Sequence, residues 1–172
     1  MSYQFCPYCA TPLEEQEHGG KSRLACPKGD FVHWDNPTPV VAAVVERQGK
    51  VVLVQSIGWP QEWFGLVTGF LEKGEKVEEA VLREVQEELG LEAKLGEFLG
   101  LYTFTRMNQL IIAYHVEAQE GEIHLQESEL AAYREVPIAE LRPWRAGTGY
   151  ALAKWLKSKG YEPEFIDLPK RK

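Results

Sequence analysis

The sequence of 172 residues has no long apolar run and only three cysteines, and both shortages exclude classes of protein. No apolar stretch approaches the roughly 20 residues that a membrane-spanning helix needs. The first ten residues, MSYQFCPYCA, lack the basic start and the apolar core of a secretory signal, so we expect a cytoplasmic protein. An odd number of closely spaced cysteines favours a metal site or free thiols over disulfides.

Positive charge is also scarce in this chain. Nineteen basic side chains stand against 26 acidic ones, which gives a formal net charge of −7. Because nonspecific binding to nucleic acid depends on Lys and Arg that neutralise phosphates, this balance argues against a nucleic-acid-binding protein. It does not exclude a phosphorylated small molecule, since bound cations can invert the local field.

A change in composition near residue 36 divides the chain. All three cysteines and the Gly19-Gly20 turn precede this point, whereas β-branched runs follow it. We therefore predict a small module over residues 1–36, a main domain over 37–160 and a C-terminal tail over 161–172. The tail ends in the basic stretch PKRK, which we expect to be solvated.

The main domain combines strand-like runs with two helical stretches. We predict strands at 39–45, 50–56, 62–68, 95–105 and 109–118, with the first two joined as a hairpin through a turn that contains Gly49. Helical periodicity over 76–89 ends at Gly90, and a second helix is predicted over 148–158. Strands around one central and one late helix favour an α/β or α+β sandwich.

The segment 69–91 crowds seven glutamates into 23 residues. Glu84, Glu87 and Glu88 stand at i, i+3 and i+4, so they project together from a helix, beside its apolar stripe. Such a helix alone is more often a solvated face. A bound dication would instead turn the repulsion between carboxylates into attraction, because Mg²⁺ and Mn²⁺ prefer oxygen ligands.

The spacing of residues around this helix is more specific than its charge. It reproduces the pattern GX5EX7REUXEEXGU, in which U is aliphatic, at nine positions: Gly69, Glu75, Arg83, Glu84, Val85, Glu87, Glu88, Gly90 and Leu91. On this motif the sequence resembles the Nudix hydrolase family over about residues 38–160. The resemblance implies an α/β/α sandwich with a mixed sheet, and hydrolysis of a nucleoside diphosphate linked to another moiety, with Mg²⁺ or Mn²⁺ bound at the motif.

The resemblance also implies roles for individual residues. The implied metal ligands are three carboxylates and one carbonyl: Glu84, Glu87, Glu88 and the backbone oxygen of Gly69. Glu75 and Arg83 match an ion pair that fixes the loop before the helix. The base that activates water is either Glu84 or a glutamate of a later loop, for which Glu127 and Glu129 are the candidates. Thr68 departs from the small residue that commonly precedes the motif in this family.

The cysteines form two knuckle-like pieces, CPYC and CPKGD, which resemble the zinc ribbon that precedes the catalytic domain of Nudix NADH pyrophosphatases. The predicted zinc ligands are Cys6, Cys9, Cys26 and Asp30. Gly29 occupies the place of the usual fourth thiolate, and a structural zinc takes four protein ligands. Asp30 is the nearest replacement, with His33 and His18 as alternatives. A degenerate ribbon without metal is equally compatible with the sequence.

The substrate is the least determined feature. Five aromatic residues are candidates to stack on a base, although packing is the favoured role of each: Trp59, Trp63, Phe64, Tyr102 and Phe104. Phe64 matches a structural aromatic of the family that the chain resembles and is not assigned to the substrate. Subfamily markers after the motif are absent, and Met107 stands where many ADP-ribose pyrophosphatases have proline. The ribbon-like start favours ADP-ribose, NADH or a similar dinucleotide or nucleotide sugar. The alternative is a catalytically inert nucleotide-binding regulator that uses its ribbon to contact a partner. Homodimers are frequent among the proteins that the chain resembles.

Overall fold

The structure, a computed structural model, describes residues 3–167. The chain divides into two compact units, Met1–Pro37 and Thr38–Lys172. The basic end of the predicted tail, PKRK, lies outside the described residues. Within residues 3–167, no helix is both long and apolar enough to cross a membrane.

The Met1–Pro37 unit is built on a hairpin that the sequence analysis did not predict. Its strands, β1 (Glu14–His18) and β2 (Lys21–Ala25), pair antiparallel through the Gly19-Gly20 turn, where both glycines have positive φ. Buried apolar side chains are few among the described residues of this unit: Cys6, Ala25 and Cys26. So small a core rarely stabilises a fold without a disulfide or a metal.

The Thr38–Lys172 unit contains a six-stranded sheet and two α-helices among its described residues. Its elements are β3 (Thr38–Arg47), β4 (Lys50–Ser56), β5 (Val67–Phe70), α1 (Val77–Leu89), β6 (Ala93–Phe104), β7 (Gln109–Ala118), β8 (Leu130–Pro137) and α2 (Gly149–Ser158). The sheet order is β6-β7-β3-β4-β8, and β5 pairs with the first half of β3. Because β3 and β7 run parallel while the other pairs are antiparallel, the sheet is mixed.

The two helices cover opposite faces of this sheet. Val41, Ala43 and Val45 of β3 pack in one core cluster with α1, whereas the intervening Ala42 and Val44 pack in a second cluster with α2. This division follows from the period of two along a strand, which sends successive side chains to opposite faces. The predicted α/β/α sandwich with a mixed sheet is confirmed.

Three segments differ from their predicted local structure. The stretch 62–68 is mostly a loop, in which Gly65 makes an isolated bridge to Val54, and the strand itself starts only at Val67. Strand β8 was missed because its sequence, LAAYREVP, places charged residues among the apolar ones, as edge strands often do. Residues 161–167 belong to the second unit, since Ile166 pairs in parallel with Trp144.

Candidate active site

Helix α1 carries its functional glutamates at the edge of its buried face. An i, i+4 stripe packs into the core: Val81, Val85 and Leu89. Glu84 and Glu88 are also four residues apart, and each directly precedes a residue of this stripe. Only 9% and 4% of their surfaces are exposed. The helix ends at Gly90, whose left-handed φ of 69° fits a C-terminal cap.

Gly69 is required here because of a close approach. A Cβ atom at this position would lie 1.8 Å from Cδ of Glu84, so any side chain would displace that carboxylate. The paired strands β3 and β5 hold Gly69 opposite Val41, and Thr68 opposite Ala42. The unusual Thr68 therefore leaves the register of β5 regular, and its backbone makes a hydrogen bond to the Glu88 carboxyl.

Arg83 joins the loop before the helix to the glutamates on it. Its Nε and Nη2 donate to the two carboxylate oxygens of Glu75 at 2.7 and 3.0 Å, and Nη2 also donates to the Phe70 carbonyl at 3.1 Å. Its Nη1 donates to Glu84 and Glu87, at 2.8 Å each. The hydrogen bonds from Arg83 lower the pKa of Glu75. Arg83 thus fixes both the loop and two of the predicted metal ligands.

The buried carboxyls carry an electrostatic cost. Burial raises the pKa of Glu88 to about 8, and the negative charges of Glu84 and Glu129 add to this increase. Burial likewise raises the pKa of Glu84, although hydrogen bonds from Arg83 oppose the change. The Oε2 atom of Glu88 is buried without a hydrogen-bond partner. A buried unpaired oxygen among carboxylates is the arrangement expected of a cation site, since native proteins satisfy nearly all such groups.

The two loop glutamates, Glu129 and Glu127, differ in their relation to the motif. Glu129 lies close enough to influence both Glu84 and Glu88 electrostatically, and its carboxylate accepts a hydrogen bond from Gln126 at 3.1 Å. Glu127 is exposed, and no hydrogen bond or ion pair links it to the motif within residues 3–167. Of the two candidates, the structure brings Glu129 to the motif. Sequence spacing could not separate two glutamates in one short turn.

A cavity of about 380 Å³ opens beside Gly69. Four of the five aromatic residues named as stacking candidates line it: Trp59, Trp63, Phe64 and Phe104. Tyr102 does not line it, and instead donates a hydrogen bond to the Leu99 carbonyl (2.9 Å). Phe64 is also covered by the Arg134 guanidinium, whose Cζ lies 4.0 Å from the ring centroid.

Several residues that line the cavity are not predicted from the sequence. They include Phe70, Gln109, Trp144 and Thr148. Phe70 directly follows Gly69 and leaves 61% of its surface exposed. Its position inside the motif is the one sequence feature that points to Phe70 as a residue beside the site. Gln109, Trp144 and Thr148 are distant from the motif in the sequence and join it only in the folded chain, so no local sequence pattern predicts that they line the cavity.

The Met1–Pro37 unit contains a separate group of possible ligands. One ligand atom from each of Cys6, Cys9, Cys26 and Asp30 lies within 4.8 Å of the others. Sγ of Cys9 is 3.6 Å from Sγ of Cys26, which in turn is 3.8 Å from Oδ2 of Asp30. Gly29 adopts a φ of 84°, which turns the chain so that Asp30 reaches the thiols. His18 and His33 are not members of this group.

Comparisons with known proteins give one matching family model and several similar proteins. A family model described as the NUDIX domain matches residues 36–156. The NAD-capped RNA hydrolase NudC of Pseudomonas aeruginosa is 32% identical over 127 residues, which cover 74% of this chain and 45% of NudC. The mitochondrial NAD(P)H pyrophosphatase NUDT13 of Mus musculus is 30% identical over 136 residues, which cover 76% of this chain and 38% of NUDT13. The chain thus spans less than half the length of these relatives.

Solved structures resemble the chain in fold. A NUDIX hydrolase from Nitrosomonas europaea superimposes with a TM-score of 0.76 at 20% identity, over 96% of this chain and 97% of that one. An ADP-ribose pyrophosphatase from Streptococcus suis gives a TM-score of 0.60 at 21% identity, over 77% of this chain and 99% of that one. At such identities the likeness concerns the fold alone.

Proposed function

The chain belongs to the Nudix family through residues 36–156, and we propose that it hydrolyses the pyrophosphate bond of a nucleoside diphosphate linked to another moiety. The proposed substrates are ADP-ribose, NADH or a similar dinucleotide or nucleotide sugar. The single observation that carries the proposal is the group of carboxylates around the unpaired Oε2 atom of Glu88. The curated relatives named as hydrolases of NAD-capped RNA and of NAD(P)H support the same class of bond.

The motif residues fit Mg²⁺ or Mn²⁺. The donors are all oxygens, as these ions prefer, and the ligands would be Glu84, Glu87, Glu88 and the Gly69 carbonyl. The burial that raises the pKa of Glu88 makes a cation the natural partner for its charged form. When bound, such ions neutralise pyrophosphate charge and acidify a water ligand.

The protein groups position these ligands and accept the proton of the attacking water. Arg83 orients Glu84 and Glu87 through its 2.8 Å hydrogen bonds and relies on Glu75 to hold its own guanidinium in place. One oxygen of Glu84 is thus already engaged. Glu129 is exposed, and its carboxylate accepts a hydrogen bond only from the Gln126 amide within residues 3–167, and so we assign it the role of general base.

A zinc ion in the Met1–Pro37 unit is the second part of the proposal. Cys6, Cys9, Cys26 and Asp30 supply four ligand atoms, the number that a structural zinc requires. The small core of this unit gives the metal a structural role, because binding energy would substitute for missing apolar burial. Elemental analysis should find one zinc per chain, and its absence from freshly purified protein would leave a metal-free ribbon.

A substrate panel tests the proposed activity. ADP-ribose, NADH, NAD⁺ and ADP-sugars are incubated with Mg²⁺ or Mn²⁺, and the nucleotide products are separated by chromatography. We expect AMP from at least one of these substrates, and a loss of several orders of magnitude in kcat for Glu88→Gln. If no substrate is cleaved while nucleotides still bind equally to a Glu87→Gln, Glu88→Gln double variant, the protein is instead an inert nucleotide-binding regulator.

A further inference from the structure

The cavity beside Gly69 has apolar walls that contain hydrogen-bonding groups without partners. Nε1 of Trp63 is buried and unpaired. The Thr148 hydroxyl precedes α2 but makes no capping hydrogen bond, and the Gln109 amide forms no side-chain hydrogen bond within residues 3–167. The two charged lining residues, Glu62 and Arg106, are exposed.

Unpaired polar groups on an apolar wall indicate what the cavity accepts. Each group loses free energy if it is desolvated without a partner, so a fitting ligand must offer matching donors and acceptors. The surrounding rings of Trp59, Trp63, Phe104 and Trp144 favour a flat, apolar body. A cavity of about 380 Å³ lies in the range of small-molecule sites.

The position of the cavity fixes which part of a substrate reaches it. Val41 of β3 pairs with Gly69 on one side and with Ile112 on the other. Two strand spacings therefore separate Gly69 from Ile112, about 10 Å, and Gln109 lies three residues before Ile112 on β7. A group beside Gln109 is thus too far from the motif to be the reacting pyrophosphate, but lies at the distance of an attached heterocycle.

We propose that this cavity holds a heterocycle of the substrate, and that Gln109 and Thr148 determine specificity by hydrogen bonding to its amide or amino edge. This inference rests on the proposed function, in which the motif anchors the pyrophosphate to which that heterocycle is joined through a ribose. The carboxamide of nicotinamide and the amino edge of adenine share the required chemistry, with a donor next to an acceptor. A bare sugar lacks both the flat body and that edge.

Paired substrate analogues test the inference. In 3-acetylpyridine adenine dinucleotide a methyl group replaces the amide nitrogen of nicotinamide, and in nicotinamide hypoxanthine dinucleotide an oxygen replaces the amino group of adenine. We expect the wild type to cleave one of these analogues with kcat/KM at least about tenfold below that for NAD⁺. Gln109→Leu should lose a similar factor on NAD⁺, chiefly in KM, and should no longer discriminate against that analogue.

A control variant and a second substitution distinguish a specific loss of hydrogen bonding to the heterocycle from a general loss of structure. Gln119→Leu alters an exposed glutamine on the loop after β7 and should behave like wild type. Thr148→Val replaces the hydroxyl with a methyl group of similar size and should raise KM without changing the melting temperature. Equal treatment of NAD⁺ and both analogues by the wild type would overturn the inference, as would discrimination that persists in Gln109→Leu.

A binding experiment keeps the inference testable if no dinucleotide is cleaved. Three tryptophans line the cavity, so their fluorescence should respond to a bound ring: Trp59, Trp63 and Trp144. In EDTA, AMP or nicotinamide mononucleotide should quench this fluorescence, ribose 5-phosphate should not, and Gln109→Leu should weaken the effect at least about tenfold. Quenching without any hydrolysis would contradict the proposed function alone. Equal responses to ribose 5-phosphate and to the nucleotides would refute the heterocycle site.

Discussion

Replacing Glu88 with glutamine should stabilise the metal-free protein at alkaline pH while abolishing its activity. Burial raises the pKa of Glu88 to about 8, with further contributions from the charges of Glu84 and Glu129. Glutamine has the shape of the protonated acid but cannot ionise. The variant therefore keeps the uncharged form that the metal-free site favours, and it removes a predicted metal ligand.

Proton linkage gives the sign and the size of this effect. The unfolded chain releases the Glu88 proton near the ordinary glutamate pKa, whereas the folded chain holds it until about pH 8. The folded state binds more protons between these values, so wild-type stability falls as the pH rises through this window. A shift of this size corresponds to about 5 kcal/mol when ionisation is complete, of which about 3–4 kcal/mol falls between pH 5 and pH 8.

Urea unfolding in EDTA at a series of pH values measures the effect. Relative to wild type, Glu88→Gln should gain about 3–4 kcal/mol of unfolding free energy between pH 5 and pH 8. Glu79→Gln, on the exposed first turn of α1, should show no such gain. Mn²⁺ at pH 8 should stabilise the wild type and not Glu88→Gln. A stability difference that does not change with pH would refute the argument that burial of this carboxyl opposes folding.

Three further predictions concern neighbouring residues. Gly69→Ala should displace the Glu84 carboxylate and lower kcat at least about a hundredfold, with about 1–3 kcal/mol of lost stability, measured by kinetics and urea unfolding; unchanged kinetics would contradict the 1.8 Å approach. Glu129→Gln should lower kcat about 10²–10⁴-fold whereas Glu127→Gln in the same turn should not, and equal losses would remove Glu129 as the base. Asp30→Ala should lower zinc affinity, followed by chelator competition, whereas Asp30→Cys should retain the metal; identical affinities in Asp30→Ala and wild type would exclude Asp30 as a ligand.

Much of the fold could be predicted because its signals are local. Strands β3 and β4 have their own apolar periodicity and are joined by a Gly-containing turn. Helix α1 likewise has its own periodicity and ends at Gly90. Strand β8 could not be found in this way, because an edge strand with charged residues lacks a continuous apolar face. Its pairing with β4 depends on residues about 80 positions apart.

The candidate site also combines features that a local motif predicts with features that depend on tertiary packing. The spacing that places Arg83 beside Glu75 is a property of one loop and one helix, so the ion pair could be predicted from the motif. The difference between Glu127 and Glu129 depends on how a turn packs beside α1, which the sequence does not reveal. The unpaired groups of Trp63 and Gln109 meet only after β7 and the loop that follows β4 have assembled around one cavity.

Product analysis of a dinucleotide reaction, run with Mg²⁺ and again with EDTA, examines the carboxylate group most directly. For wild type with NADH we expect AMP and reduced nicotinamide mononucleotide only when the metal is present, and neither product from Glu88→Gln. Equal product formation in EDTA, or by Glu88→Gln, would contradict the account, because cleavage would then need neither the cation nor the carboxylate that binds it.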